Sequence, residues 1–562
     1  MKRGRHAQNL EAFLKVGEAS LAVPKFITAP QAARLIEDGD TVYFGGSGGG
    51  HGVAEDIIEA LRDRFILDTA PHGLTVASTV SIGDWKSTGF NHLAAPGLVK
   101  RVVNGGMNNC PKLAPQAFEN QIEVYTLPQG VLAQLSRDRA AGRPGLLTKV
   151  GLGTFVDPRQ TGGRQSACSK EALVELVEIG GEEFLLYRAF PIDVVVIRGT
   201  TAEETGHITM EEEAFLGENL SLAMAGRRNS GIVIVQVKRI AAAGSLRARD
   251  VAIPAHLVDF VVVVPDQKQT YNTAYHPAYA GWMRVPDTAF QSLPFDVRKV
   301  VARRAAMELF PRAIVNLGFG ISNGISSVAA EEGIYRDITL TVEQGIVGGV
   351  PAGGQDHGAG VNFDMMVCHP DQFDFYDGGG LDVAYLSFAE VDRHGNVNVS
   401  RYGRSINGPG GFINISQGAK KVAFLGTLTT GGLRARPDGV GALAIEQDGH
   451  TRKWVEAVGQ ITFNGRLALE RRQAVMFITE RAVFELQHEG LILTEIALGI
   501  DLDRDVLAQI EFEVIVSPNL RPMDARLYRP EPLGFRPEFL AKDQVARASA
   551  RRWQQANPAS VI

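Results

Sequence analysis

Short runs of apolar and β-branched residues recur along this chain, each ending in a glycine turn and followed by a stretch with apolar residues at helical spacing. DTVYFGG (40–46), VAEDIIEALRDRF (53–65) and LTVAST (74–79) give the first cycle; IDVVVIRG (192–199), GIVIVQV (231–237) and DFVVVVP (259–265) supply further apolar runs. The same grammar returns in AIVNLGFG (313–320), SNGISSVAAEEG (322–333) and ITLTVE (338–343), then LDVAYLSF (381–388) and KKVAFLG (420–426). Strand, glycine turn, helix, strand predicts an α/β fold with mainly parallel sheets.

The pattern also repeats at long range. IDVVVIRGTTAEETGHITM and LDVAYLSFAEVDRHGNVNV align at one offset: Asp193 and Asp382 are 189 positions apart, and so are Gly206 and Gly395. LTVA at 74–77 likewise mirrors LTVE at 340–343. One offset serving both an acid and a turn glycine predicts two tandem, related α/β domains. The join falls in the Pro-, Tyr- and polar-rich segment 265–294, and the last stretch reads as an arm with a terminal helix. The division expected is an extension at 1–24, a first domain at 25–280, a second at 281–530 and the arm at 531–562.

Composition narrows the function. At 562 residues the chain exceeds what one core serves, and 45% hydrophobic with 21% charged residues are ordinary globular values. A net charge of −6 argues against nucleic acid as a partner. Cys110, Cys168 and Cys368 lie far apart with no C-x-x-C pair, which argues against a disulfide framework or thiolate metal site and for a reducing cytoplasm. The basic start MKRGRH is followed by QNLEAFLKVGEAS, which lacks the apolar core of a secretory signal, and no apolar run is long enough to span a membrane.

Duplicated domains reveal their chemistry where the symmetry breaks. Ala77 in the first half stands where Glu343 stands in the second. With an offset of 191, SINGPGGFINIS (405–416) falls on the GENLSLA region, so Gly410 and Gly411 replace Asn219 and Leu220. The second half gains an acid and a bare backbone turn, and glycines admit backbone N–H groups to a ligand without a Cβ in the way. The glycines after Glu343, in QGIVGGVPAGG, read as clearing space around a carboxylate that something large must approach. A competing reading starts from the loop Asn316–Gly324. It follows a strand, opens a helix, and has Glu343 19 residues beyond Gly324, the arrangement of a dinucleotide site. Against it, the first half's counterpart, Gly45 to Gly52, carries too many glycines in the wrong phase, and a ribose-binding acid does not call for the glycine series after Glu343.

VNLGFGISNG, TLTVEQGIVGGVP, GGGLDVAYLSFAEVDRHGNVNVS and GPGGFINIS resemble the second domain of the family I coenzyme A transferases. DGDTVYFGGSGGGHG, TLPQGVLAQL and VGLGTFVDPRQTGG resemble the first domain, with Ser47 where many relatives carry Phe. The likeness spans residues 25–530 and is greatest to the single-chain propionate or acetate CoA-transferases. It implies ping-pong transfer of CoA from a short-chain acyl-CoA to a free carboxylic acid. Glu343, of the E-x-G motif, is the implied nucleophile that carries a glutamyl-CoA thioester. Gly410 and Gly411 are implied as oxyanion donors and Gln129 as a facing donor, with Gly318, Phe319, Gly320 and Asn323 bordering the CoA cleft. Coenzyme A is then a substrate, with no prosthetic group and no metal, and the protein a cytoplasmic homodimer or homotetramer. A carboxylate is already ionised at neutral pH and needs no general base, so positioning and oxyanion stabilisation must supply the rate. An acyl-CoA hydrolase on the same scaffold, a nicotinamide-dependent oxidoreductase and a non-catalytic CoA-responsive module are the alternatives. His51, His357 and His394 read as plain polar loop residues, Asp382 as structural and Cys368 as buried packing.

Overall fold

The computed structural model describes residues 24–542 except 229, 288–289 and 291. The expected N-terminal extension, apart from Pro24, and the end of the expected terminal helix lie outside the described residues.

Two large sheets organise the chain. The first runs, in spatial order, Lys25–Ile27, Phe260–Val263, Ile232–Val237, Val194–Arg198, Thr41–Phe44, Leu74–Ala77, Val99–Asn104 and Glu123–Thr126. Every neighbouring pair in it is parallel. Its central strands are apolar at nearly every position because both faces are covered; all five residues of Val194–Arg198 and all six of Ile232–Val237 are buried. Alternate side chains feed two cores, Val42, Phe44 and Val76 into one and Tyr43, Ala77 and Val195 into the other.

The second sheet runs Met365–Met366, Ile346–Val347, Thr339–Val342, Ile314–Leu317, Val383–Ser387, Lys421–Leu425, Ala474–Ile478, Ala482–Gln487, Gly490–Ile496 and Ile515–Pro522. Its centre is parallel, and antiparallel pairs flank that centre on both sides. Strand for strand, the order 232–237, 194–198, 41–44, 74–77 of the first sheet returns as 421–425, 383–387, 314–317, 339–342 in the second. The repeated acid does one job in both. Asp193 Oδ2 accepts the N–H of Thr41 at 2.8 Å and Asp382 Oδ2 that of Ile314 at 2.9 Å. The carbonyls of these two acids accept from Ile232 and Lys421, again at the same offset. Gly206 and Gly395 both turn at positive φ, 98° and 70°. The reading of Asp382 as structural therefore holds in its geometry.

Helix Gln129–Ala140 of the first half packs on helix Asn219–Arg228 and, across the halves, on helices His369–Asp377 and Phe412–Gly418. Contact is close because Gly130 has no side chain: a Cβ there would lie 2.4 Å from Phe373 and 2.5 Å from the Asn414 amide. Gln134 donates across the same seam to Asp374 and Asp377, and Ile413 of the second half sits in a first-half core.

Candidate active site

In both halves the chain leaves the carboxyl ends of parallel strands towards one cavity of about 370 Å³. This is where open α/β sheets place their ligands. The first half supplies Ser47 to Gly49 after Thr41–Phe44, Gly105 and Gly106 after Val99–Asn104, and Gln129 after Glu123–Thr126. The second supplies Gly318 and Phe319 after Ile314–Leu317 and Glu343 after Thr339–Val342.

Glu343 is half-buried on the cavity wall. Burial pushes its carboxyl above the ordinary range, opposed by His369 nearby and by hydrogen bonds from the Gln344 and Gln129 amides. Gln344 Nε2 donates to Glu343 Oε1 at 3.3 Å and reaches Ser47 Oγ at 3.4 Å, tying the acid to the first half's glycine loop. Gly411 lies against the carboxylate itself. A Cβ built on it would stand 2.1 Å from Glu343 Oε2, so a side chain there and the acid cannot coexist in this geometry.

The two neighbouring glycines differ. The N–H of Gly410 is already given to Gly105 O at 2.8 Å, and its carbonyl accepts from the N–H of Gln129 at 2.8 Å. Gly410 therefore locks the seam between the halves and is not free to donate to a substrate, contrary to the expectation that both amides serve as oxyanion donors. Gly411 ends this turn at the start of helix Phe412–Gly418 with ordinary helical backbone, φ −79°. Gln129 is fully buried, and its Oε1 has no hydrogen-bond partner.

The glycines that follow Glu343 have another use than the one expected. A Cβ on Gly345 would meet Val367 O at 2.1 Å, one on Gly348 the Asp364 carboxylate at 2.3 Å, and one on Gly349 Val361 O at 2.2 Å. They let the chain fold back as the short antiparallel pairs 346–347 with 365–366 and 350–351 with 360–361. Close packing, not ligand access, explains these three; Gly353 and Gly354 have open space beside them, and Gly354 turns the chain at φ +63°.

Of the residues expected along the CoA cleft, Gly318 and Phe319 line the cavity. Gly320 and Asn323 do not, because Gly320, at φ +93°, turns the chain into the 3-10 segment Gly320–Asn323. Asn323 Nδ2 then faces Ala352 O at 3.4 Å. Phe319 is 55% exposed and stacks on Trp85 of the other half, ring centroids 6.2 Å apart, with His357 edge-on at 5.0 Å. Trp85 holds a left-handed φ of 64°, fixed by the preceding Asp84, whose Oδ1 accepts the N–H groups of Lys86, Ser87 and Thr88.

Several side chains escaped the sequence reading. His369 and Glu218 stand behind Gln129: Gln129 Nε2 meets His369 Nε2 at 2.8 Å, and His369 Nδ1 meets Glu218 Oε2 at 2.9 Å. No local motif marks them, although Glu218 stands beside Asn219 in the very segment where the two halves diverge. His51 and His357 are not plain loop residues. His51 is buried with Nε2 on His357 O at 3.1 Å, His357 lines the cavity, and desolvation pushes both rings down to about 4. His394 is exposed, and so is Cys368, which corrects the expectation that this thiol is buried. Among the described residues Glu55, Glu59 and His92 form one group with metal-ligand spacing, knitted together by hydrogen bonds from Tyr271 and Arg62.

Known proteins resemble this chain along most of its length. A family profile described as Coenzyme A transferase matches residues 26–264. The chain is 43% identical over 510 residues to the acetate CoA-transferase YdiF of Escherichia coli (strain K12), covering 91% of this chain and 96% of that one. It is also 43% identical over 512 residues to the caffeate CoA-transferase of Acetobacterium woodii, covering 90% and 97%. The crystal structure of the E. coli O157:H7 acyl-CoA transferase YdiF in a thioester complex with CoA superposes with a TM-score of 0.87 at 42% identity, over 92% of this chain and 98% of that one. With two related α/β units meeting at one cavity and such relatives along nearly its whole length, the chain belongs to the coenzyme A transferase family.

Proposed function

We propose that the protein moves coenzyme A from a short-chain acyl-CoA to a free carboxylic acid in two half-reactions, with Glu343 as the carrier. The observation that carries this reading is the Glu343 carboxylate, half-buried on the cavity wall and pressed against a glycine with no room for a side chain. A Glu343 oxygen attacks the thioester carbonyl carbon, the C–S bond breaks, and an acyl–glutamyl anhydride and CoA thiolate result. The thiolate then attacks the glutamyl carbonyl, giving the glutamyl-CoA thioester and releasing the first acid as its carboxylate. An incoming carboxylate reverses both steps, so charge and protons balance without an external base.

Each attack builds negative charge on a carbonyl oxygen. One well-placed donor to such an oxygen is worth roughly 2.7–4 kcal/mol. The Gly411 N–H and the Gln129 carboxamide are the donors assigned here, since the N–H of Gly410 is committed to Gly105. The low-polarity wall that raises the carboxyl also strips water from the nucleophile and from the anhydride, which favours transfer over hydrolysis. Gly318 and Phe319, with Trp85 stacked across from them, take the CoA side of the cavity. The thioester complex of the E. coli relative with CoA supports this chemistry, and the acetate and caffeate relatives leave the acyl group open. A cytoplasmic homodimer or homotetramer completes the reading, checked by light scattering. Among the described residues no helix is long and apolar enough to cross a membrane.

Intact-protein mass after mixing with acetyl-CoA alone is the test. A CoA adduct that maps to Glu343, is reduced by borohydride and is absent from Glu343→Ala is the expected result. Free acid released at a catalytic rate without any acceptor would instead establish a hydrolase.

A further inference from the structure

Behind Gln129 runs a chain of buried polar groups drawn from both halves. Tyr43 OH meets Thr79 Oγ1 at 2.9 Å, Thr79 Oγ1 donates to Glu218 Oε1 at 2.6 Å, and Glu218 Oε2 meets His369 Nδ1 at 2.9 Å. His369 Nε2 then meets the Gln129 amide nitrogen at 2.8 Å. Glu218 is 2% exposed and His369 and Gln129 are 0% exposed, so water does not compete for any of these bonds. Phe215 and Phe373 pack against the imidazole, with ring centroids 5.8 and 5.4 Å away.

This order of atoms fixes donors and acceptors. A carboxylate only accepts, so His369 Nδ1 carries the proton shared with Glu218; when the imidazole is neutral, the lone pair of Nε2 accepts from the Gln129 amide. One amide hydrogen of Gln129 is thereby used, and the other is left for the Glu343 side. A free glutamine amide has two faces of nearly equal energy, and the wrong one would set Oε1 against the Glu343 carboxylate. The imidazole selects the face that presents N–H. The backbone does the coarse placement: Gln129 N–H is held on Gly410 O at 2.8 Å, beside the Gly411 that touches the acid.

We propose that Glu218 and His369 are positioning residues, which hold the Gln129 carboxamide with one N–H directed towards Glu343 and the acyl oxygen that gains negative charge when Glu343 attacks the neighbouring carbon. This rests on the Glu343 chemistry proposed above. The device spans the seam, with Glu218 and Gln129 from the first half and His369 from the second, so the donor is correctly set only when the halves are docked.

The experiment follows CoA loading of the full chain by rapid quench and intact mass under saturating acetyl-CoA, in Glu218→Gln and His369→Asn. Asparagine retains an amide for Glu218 but lacks the atom that meets Gln129; His369→Gln, which restores a polar atom there, is the rescue variant. The loading rate is expected to fall about 10- to 100-fold, less than the roughly 100- to 1,000-fold lost with a whole oxyanion donor. Half-saturation by acetyl-CoA should stay within about twofold, and neither change should slow loading further in a Gln129→Ala background, since the two act through that amide. Loading within about twofold of the parent in Glu218→Gln, or an undiminished loss in the Gln129→Ala background, overturns the inference. Should His369→Asn not fold, Glu218→Gln decides alone. A parent that never loads CoA overturns the Glu343 chemistry and this inference together; failure of the inference alone leaves the parent loading normally.

Discussion

The two halves share a four-strand centre and part company one residue beyond its equivalent strands. In the first, Leu74–Ala77 ends on a fully buried alanine, and Ala77 pairs with Val103 of the next parallel strand. In the second, Thr339–Val342 is followed by Glu343, and Gly345 at φ +106° turns the chain back into an antiparallel pair. The first half completes a parallel sheet at this point; the second gives up that continuation and leaves a carboxylate at the strand's open end. On the proposed reading of Glu343, the difference teaches where function was added to a repeated scaffold. The acids that hold strand to strand, Asp193 and Asp382, stayed alike, and change was concentrated at the carboxyl ends of the strands, where the halves face each other.

Erasing that difference gives the largest expected effect. Glu343→Ala restores the LTVA of the first half, and turnover should fall by roughly four to six orders of magnitude, the scale of losing a covalent nucleophile. Initial rates of CoA transfer between acetyl-CoA and a carboxylate acceptor measure it. Residual transfer within about tenfold of the parent would mean that the asymmetry is structural and the chemistry lies elsewhere.

Gly411→Ala comes next and tests whether the bare turn exists for the acid. The backbone of Gly411 suits any residue, so the obstacles to a methyl group are side chains: chiefly Glu343 Oε2 at 2.1 Å, and more mildly Ile415 Cδ1 at 3.0 Å. Displacing the carboxylate should lower turnover about 100- to 1,000-fold, and overpacking should cost about 1–3 kcal/mol of stability. In a Glu343→Ala background most of the stability cost should vanish, leaving only the milder contact with Ile415. Chemical denaturation of the single and double variants checks this, and a cost that persists would show that Gly411 answers to the backbone alone.

The sequence made much of this legible because repetition is a long-range signal. Asp193 with Asp382, and Ala77 against Glu343, emerged from alignment of one half on the other. What stayed hidden has no periodicity. His369 meets Glu218 and Gln129 only when helix His369–Asp377 docks on helix Gln129–Ala140, across 151 and 240 positions of chain. Gly345, Gly348 and Gly349 are hidden for a related reason: a glycine that clears space beside an acid and a glycine under a crossing strand look identical until the strand is placed. Cys368 is exposed at the start of that same helix, a placement that residue type alone does not reveal.

A smaller effect tests the half of the comparison that did not change. Asp193→Ala and Asp382→Ala each leave a strand-initiating N–H, of Thr41 or Ile314, without its acceptor. Each should cost about 1–3 kcal/mol in denaturant titrations, with turnover per folded molecule unchanged. Lys420 also contacts Asp382 at 2.7 Å, but at an exposed position worth about 0–1 kcal/mol, so the two costs should agree closely. A drop in turnover confined to Asp382→Ala would place that acid in the chemistry after all.

The smallest effect is the stability given up for the acid. Burial raises the Glu343 carboxyl in the folded protein, so between the ordinary carboxylate range and its raised value the native state binds more protons than the unfolded chain. Stability due to this group is therefore greatest at low pH and declines as pH rises through that window, then stays level. Glu343→Gln cannot ionise, keeps hydrogen-bonding capacity and nearly the same volume, and should unfold at a higher temperature than the parent at neutral pH. The gain should vanish below the ordinary carboxylate range. The same ionisation governs activity with the opposite sign: only the carboxylate attacks, so the rate should fall on acidification at a higher pH than an unperturbed glutamate would give. Differential scanning at several pH values, set beside the pH profile of loading, checks both. A Gln variant less stable than the parent at neutral pH would mean that the site's hydrogen bonds outweigh desolvation, and that the second half did not give up stability for its carboxylate.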